Sequence, residues 1–391
     1  MAISLFALCG FYACNFAVLG VWIPYWPLYM SSHGHGAAAI GLIISLSLVA
    51  KLLGPPLWGM LADRGSRYRV IAGSSIAACL VSPLFFYGDS LLLLLTGVLA
   101  FSLLQNAQHS LVEATTLETI QRYNAQNNRH PPLDYGRIRL WGSWGFVLFA
   151  LGLGPITDQW GLLWVPWVLT GLLLVGALFS LFLPEGEANP TPDFAPGLFA
   201  LPSVRWFYLA ALLMQFSHGA YYGFLSLHLL QHGFSKGAIG LIWTLGVGAE
   251  IFLLRHSGRL LVRFGVSRLL TLSLTVAILR WSLYAMPPAW PLLLVGQLMH
   301  AFTFGAFHVA AVRRTFEMAP HASRATAQAW YTALSFGLGG GVGIMLCGQL
   351  YDRLGGEWLF AGMAVGATLG LLAMQRALRL FDWERERLHI F

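Results

Sequence analysis

Charge is scarce in this sequence. Only 10% of its 391 residues are Asp, Glu, Lys or Arg, whereas 57% are hydrophobic; an ordinary soluble protein carries roughly 25% charged residues, so a water-soluble monomer is excluded. Lys and Arg are absent before Lys51, so the chain lacks the basic start of a cleaved leader and its first apolar run is expected to stay as a helix. Cysteine is sparse too. Cys9, Cys14, Cys79 and Cys347 all lie in apolar runs, without the spacing of a disulfide framework or a metal site. There is no P-loop to supply ATP energy, and no His-Glu-x-x-His or His-x-x-x-x-Asp motif. The groups a membrane-embedded enzyme needs near one membrane face are therefore missing. The formal net charge of +7 comes from arginines scattered through short loops, which reads as membrane topology rather than nucleic-acid binding.

What the chain has in quantity is apolar runs of spanning length, at 4–29, 37–61, 70–87, 91–114, 137–157, 161–183, 204–229, 237–256, 269–286, 290–312, 323–347 and 357–378. At about 32 residues per spanning helix and loop, the length predicts about twelve spans and no separate soluble domain. Of the 23 basic residues, Lys51 and Arg280 lie in span interiors, only Lys236 and Arg353 lie toward one side, and the other nineteen lie in loops or at span ends on the side of Met1. This bias places both termini in the cytoplasm.

Pro184 to Gly197 is rich in proline and acid and reads as a linker. The expected organisation is a six-helix bundle at 1–183, a cytoplasmic linker at 184–203, and a second bundle at 204–391 with a short cytoplasmic tail. A repeat marks the ends of spans 2, 5, 8 and 11: Gly59-Met-Leu-Ala-Asp63-Arg64, Gly154-Pro-Ile-Thr-Asp158, Gly258-Arg-Leu-Leu-Val262 and Gly348-Gln-Leu-Tyr-Asp352. Spans 2 and 8 end on one side and 5 and 11 on the other, so a three-helix unit recurs in alternating orientation. Inverted repeats of this kind build transporters that rock two halves about a site at the midplane.

The segment Gly59 to Arg69 resembles the signature loop of the major facilitator superfamily, with Ser66 where that pattern has Gly. Leu133-Asp-Tyr-Gly-Arg-Ile-Arg-Leu-Trp-Gly-Ser143, His218-Gly-Ala-Tyr-Tyr-Gly-Phe224, Gly246 to Glu250, Arg280-Trp281, Gln297 to His300 and His308 to Arg313 are similar to the phenylpropionate transporter group, relatives of lactose permease and of nucleoside symporters. The resemblance spans essentially the whole chain. It implies an all-α membrane protein with twelve transmembrane helices in two pseudo-symmetric six-helix bundles. It also implies substrate-holding roles for Glu113 and Arg139, and makes His300 the better histidine candidate. The signature loop implies a cytoplasmic gate at Gly59, Asp63 and Arg64.

Ionisable residues inside spans are functional candidates by default. Lys51 lies mid-span, as a substrate group or as the partner of a neighbouring carboxylate. Glu113 and Arg139, on adjacent spans, can pair, either in a substrate site or as an ion pair near the membrane surface. Glu250 and Arg280 lie in span interiors, and moving one charge relative to the other would bind or release a proton. His218, His300 and His308 titrate near neutrality, unless they are hydrogen-bonded packing residues. His300 and His308 are eight residues apart, about two turns and about 80° round on an ideal helix. Three midplane cations against two carboxylates favour an anion held by a two-pronged hydrogen bond. Tyr12, Phe16, Tyr221 and Tyr222 can stack on a ring, Asn15 and Gln105 can hydrogen-bond, and Trp22 and Tyr25 read as membrane-interface residues. Gly337 to Gly343 should let helices approach closely, and Pro55-Pro56 should kink span 2.

These features predict a proton-coupled symporter importing a small organic anion such as an aromatic carboxylate. The expected proton-coupling residues are Glu250, Arg280, His300 and His308. The alternatives are a sugar or nucleoside symporter, or proton-driven efflux. No cofactor beyond the proton gradient and no metal is expected. The expected partners are a small molecule, protons and lipids, for a monomer in a bacterial inner membrane.

Overall fold

With no water to satisfy backbone amides in a bilayer, an apolar run of about twenty residues is stable there only as a helix. The computed structural model follows that rule: among the residues it describes, 2–126, 133–185, 199–319 and 323–388, there is no strand. The linker residues 186–198 lie outside that set, as do the placement of Gly59 and the side chains of Lys51, Pro55, Pro56, Asp63 and Arg64.

The helices are α1 (Ala2–Ser32), α2 (Ala37–Arg64), α3 (Arg67–Val81) extended by a 3-10 turn, α4 (Leu91–Gln126), α5 (Tyr135–Trp160), α6 (Trp164–Ser180), α7 (Pro202–Phe216), α8 (Gly219–Gln231), α9 (Lys236–Arg255), α10 (Ser257–Phe264), α11 (Val266–Tyr284), α12 (Trp290–His300), α13 (Phe307–Met318), α14 (Arg324–Tyr331) and α15 (Gly340–Leu388). Eight helical stretches among the described residues are long and apolar enough to cross a membrane, and Ala37–Ala50 and Trp164–Ser180 are shorter apolar helices. The chain turns within α15 at Gly355, whose φ of 79° is non-helical and is open to glycine at no steric cost. Span 7 is broken between α7 and α8. There Ser217 Oγ and His218 Nδ1 both donate to the Met214 carbonyl, at 2.7 and 2.8 Å, competing with the helical ladder.

Two compact units are formed. One comprises Met1–His35, Ala50–Thr191 and Phe234–Thr244; the other comprises Gly36–Val49, Pro192–Gly233 and Leu245–Phe391. In the first, α1 and α5 touch backbone to backbone: a Cβ on Gly20 would come within 2.5 Å of the Phe146 carbonyl oxygen. Trp22 and Tyr25 are not interface residues, contrary to expectation. Trp22 stacks on Trp26 at 4.6 Å, and Tyr25 is fully buried, its hydroxyl donating to the Ala150 carbonyl at 2.5 Å. They lie on the face of α1 that packs on α5 and the neighbouring helices, so proximity to a span end did not decide their environment.

Two of the repeat glycines mark close approaches. Gly154 leaves room for the backbone of Lys236 and Gly237, and Gly348 for that of Ala37 and Gly41. Asp158, four residues after Gly154, accepts the amide N–H groups of Lys236 and Gly237, each at 2.9 Å, and the Lys236 ammonium at 3.2 Å. A carboxylate thus caps the N-terminus of α9, where the helix dipole favours negative charge. The third copy, from Gly258, lies on the short helix α10, which has no buried residue; Val262, in the Asp position, is 90% exposed.

In the second unit the glycine run acts as expected. Gly339 and Gly343 face the carbonyls of Leu212 and Phe216 on α7, and Gly340 faces Leu48. Two π-helical stretches, Ala301–Ala306 and Thr332–Gly339, interrupt the α-helical ladder between α12 and α13 and between α14 and α15; wide turns of this kind recur at functional sites.

Candidate functional site

Arg280 is the centre of the site in the second unit. It is fully buried, and burying a guanidinium costs several kcal/mol unless its surroundings compensate. Three aromatic faces surround it, Tyr221 at 4.2 Å, Trp281 at 4.5 Å and Tyr284 at 5.6 Å from the guanidinium carbon to the ring centroids. Each cation–π contact contributes on the order of 0.5–2 kcal/mol. Arg280 Nη1 donates to His300 Nδ1 and to Thr303 Oγ1, both at 3.0 Å.

Because a guanidinium only donates, His300 Nδ1 is an acceptor, and the ring proton of neutral His300 sits on Nε2. That nitrogen points at Glu250 Oε2, 3.6 Å away. Arg280, His300 and Glu250 therefore form one line of charge and hydrogen bonding from α11 through α12 to α9. Arg280 Nε and Nη2 have no hydrogen-bond partner. Those two atoms form one edge of the guanidinium, the edge that matches the two oxygens of a carboxylate.

His218 closes a second side. Its Nδ1 is committed to the Met214 carbonyl, its Nε2 is buried without a partner, and its ring packs edge-on against Trp281 at 4.9 Å and stacks with Tyr222 at 5.8 Å. The Tyr221 hydroxyl donates to Gln297 Oε1 at 3.0 Å. Gly246 on α9 makes room for both: a Cβ there would lie 3.3 Å from the Tyr221 hydroxyl and closer still to Gln297 Oε1.

The structure therefore brings together Glu250, Arg280, His300, His218, Tyr221 and Tyr222. His308 stands apart from the Arg280 hydrogen bonds; its Nδ1 meets the Tyr331 hydroxyl at 3.3 Å. It is nevertheless in register with His300. His300 stacks on Phe304 at 5.4 Å and Phe304 on His308 at 6.3 Å, so the π-helical turn between them holds all three rings in one column rather than dispersed around a regular helix. Thr303 and Tyr284 were not anticipated. Tyr284 was within reach of sequence reasoning, since it lies four residues after Arg280 and so on the same helix face.

The first unit holds the other expected residues in two groups. Arg139 lies over the Phe16 ring at 3.7 Å, and Gly142 leaves space for both. Glu113 accepts the Tyr135 hydroxyl at 2.5 Å. Among the described residues no ion pair joins Glu113 to Arg139, so the pairing expected from sequence is replaced by stacking of the cation and hydrogen bonding of the acid. Separately, Gln105 donates to Asn15 Oδ1 at 2.6 Å, both side chains being buried. The two border a small cavity with Gln108 and Ser75. The side chains of Lys51, Asp63 and Arg64, and Gly59, lie outside the described residues.

The whole chain is similar to known membrane transporters. The profile of the MFS_1 like family matches residues 5–362. A probable 3-phenylpropionic acid transporter of Escherichia coli (strain K12) is 29% identical over 371 residues, 91% of this chain and 94% of that protein. The maltose permease of Geobacillus stearothermophilus is 27% identical over 380 residues, 94% and 93% of the two chains. In three dimensions, the crystal structure of the nucleoside transporter NupG superimposes with a TM-score of 0.81 at 18% sequence identity, covering 97% of this chain and 99% of that one. The chain belongs to the MFS_1 like family and is a membrane transporter with the all-α major facilitator fold, not an enzyme.

Proposed function

We propose that this transporter is a proton-coupled symporter that imports a small organic anion, an aromatic carboxylate in the simplest case, by alternating access across a bacterial cytoplasmic membrane. In this reading the chain acts as a monomer with both termini in the cytoplasm, and its two bundles, 1–183 and 204–391, are joined by the linker 184–203. One observation carries the reading: buried Arg280 offers a free Nε and Nη2 edge amid aromatic rings. A carboxylate satisfies the edge while an aromatic ring attached to it meets Tyr221, Tyr222 or Trp281. The Escherichia coli relative, a probable 3-phenylpropionic acid transporter, is named for a substrate of that chemistry.

Coupling follows from the line through His300. Substrate carboxylate and ionised Glu250 compete for the same positive charge, so a proton on Glu250 strengthens anion binding and anion binding strengthens proton binding, by the same factor. His308 serves as a further proton site along the stacked column. In the first unit, Arg139, Glu113 and Tyr12 form a second substrate-contacting group, and Lys51 adds positive charge. The cytoplasmic gate comprises Gly59, Asp63 and Arg64.

A neutral sugar or nucleoside is the second reading. It is favoured by the buried amides of the first unit, where Gln105 Oε1 and Gln108 Nε2 lack hydrogen-bond partners and offer the uncharged donors and acceptors that hydroxyl groups use. Thermal stabilisation of the purified protein by aromatic carboxylates, sugars and nucleosides separates the two, since a ligand of the folded state raises its stability by mass action. We expect a response to carboxylates that Arg280→Gln weakens by about 100-fold, from the loss of two charge-assisted bonds worth about 3 kcal/mol together. A response to sugars or nucleosides alone overturns the anion reading. In proteoliposomes, Glu250→Gln is expected to abolish proton-driven accumulation and spare exchange; accumulation at the wild-type level removes Glu250 from the mechanism.

A further inference from the structure

Away from the Arg280 site, the far end of α8 carries His228, His232 follows directly at its C-cap, and the start of the chain beyond the Gly355 turn carries Glu357. One ligand atom from each of the three lies within 4.8 Å of the other two. His228 and His232 are four residues apart, one helical turn, so their rings stand side by side with centroids 4.5 Å apart. His228 is only 2% exposed, yet neither of its ring nitrogens has a hydrogen-bond partner. An imidazole removed from water with both nitrogens unsatisfied costs on the order of 1–3 kcal/mol per group. Another large neighbour of the ring is Phe360, at 5.8 Å, which offers no conventional hydrogen-bond partner.

His232 shows what is missing. Its Nδ1 contacts the His228 carbonyl at 2.8 Å, and because a carbonyl only accepts, Nδ1 carries the proton. The neutral ring then presents a lone pair on Nε2, and that atom faces Glu357 Oε1 at 3.0 Å. Two lone-pair-bearing atoms at this separation repel unless something positive joins them. A proton on Nε2 would do so for this pair but leaves His228 unsatisfied. A metal ion gives one ligand atom of each of the three residues a partner. Two tetrahedral zinc bonds of about 2.0–2.1 Å put their ligand atoms about 3.3 Å apart, close to the separation seen here. The His232 Nδ1–H bond to a backbone carbonyl is the outer-shell contact that fixes the tautomer of a metal-bound histidine.

The backbone is shaped for the cluster. Gly355, at φ 79°, turns the chain back toward α8, and Gly356 has no Cβ where one would collide with the His228 ring. We propose that His228, His232 and Glu357 bind a divalent transition metal of borderline softness, Zn2+ in the first instance, with water in the remaining position. Two imidazoles and one carboxylate suit Zn2+ and are poor ligands for Mg2+ or Ca2+. The ion joins the end of α8 to the residues that follow the Gly355 turn. Since α8 also carries Tyr221 and Tyr222, zinc stiffens the helix that contributes to the Arg280 site.

The test uses full-length protein without a polyhistidine tag, stripped with a chelator and titrated with ZnCl2. Bound metal is counted by elemental analysis and thermal stability is recorded in parallel. We expect one zinc per chain and a saturable rise in unfolding temperature that MgCl2 does not reproduce. His228→Gln and Glu357→Gln should each weaken zinc by at least the roughly 10–100-fold seen on losing an outer-shell partner. Because Glu357 is part-exposed, its variant should match the wild type in unfolding temperature when zinc is absent. Zinc binding that is unsaturable, or that survives Glu357→Gln at full strength, overturns the site. A stability rise that MgCl2 matches does so as well.

Discussion

Replacing Gly343 by Ala tests whether the glycine run is a packing device or an incidental composition bias. A Cβ at Gly343 would sit 3.1 Å from the Phe216 carbonyl carbon and well inside contact distance of its oxygen. The obstacle is backbone in α7, not the end of a flexible side chain, so α7 and α15 must separate. Forcing a methyl into a close-packed interior costs about 1–3 kcal/mol. Alanine recovers up to about 1 kcal/mol of helix propensity, so the net effect is a loss of up to about 2 kcal/mol. Gly362 is the matched control: it lies in the helical stretch beyond the Gly355 turn and a Cβ there meets nothing within 4 Å, so Gly362→Ala should gain up to about 1 kcal/mol. The assay is the unfolding temperature of the two variants in one detergent. Opposite signs are expected; a Gly343→Ala protein as stable as Gly362→Ala refutes the packing argument.

Asp158→Ala removes a cap that holds two amides at the start of α9. Hydrogen exchange at Lys236 and Gly237 should accelerate by about 5- to 30-fold, for about 1–2 kcal/mol of lost capping, with Asp158→Asn in between. Glu384, buried in α15, accepts the Ser203 backbone N–H at 3.2 Å and the Ser203 hydroxyl at the N-terminus of α7. Glu384→Ala strands both donors and should lower stability by about 2–3 kcal/mol, measured by denaturant or heat; a neutral effect contradicts the capping role. Arg139→Lys keeps the charge but loses the flat stacking surface over Phe16. If Arg139 contacts substrate through that stacked geometry, transport should fall by about tenfold or more although charge is conserved; wild-type uptake by the lysine variant would show that charge alone suffices.

The positions of the helices were readable in advance because hydropathy is a property of each residue and needs no partner. The run 91–114 lies within α4, and 137–157 within α5. The break in span 7 was not readable, because it depends on Ser217 and His218 choosing the Met214 carbonyl and on Trp281 of another helix donating to Ser217 at 3.1 Å. The same divide runs through the site. That Arg280 is a buried charge and Glu250 a half-buried one followed from their places in apolar runs. That His300 stands between them required the α11, α12 and α9 faces to be known. Asn15 and Gln105 were visible as polar residues in apolar helices, whereas their bond to each other spans 90 positions. Arg139 had both an acid and an aromatic within reach of its helix, and only the rotation of α1 against α5 decided for Phe16. His228 and His232 were not among the residues singled out from the sequence, because the acid that stands beside them is more than a hundred residues away.

The π-helical stretch between His300 and His308 has one further meaning. A wide turn holds one more residue than the regular ladder requires, and that surplus can be handed to the next turn with every amide still bonded. Each transfer turns the residues it passes over by about 100° and leaves those beyond them where they were. A surplus passed beyond His308 would re-aim that ring while His300 stays on Arg280. One continuous rod can thus present two imidazole rings to different surroundings.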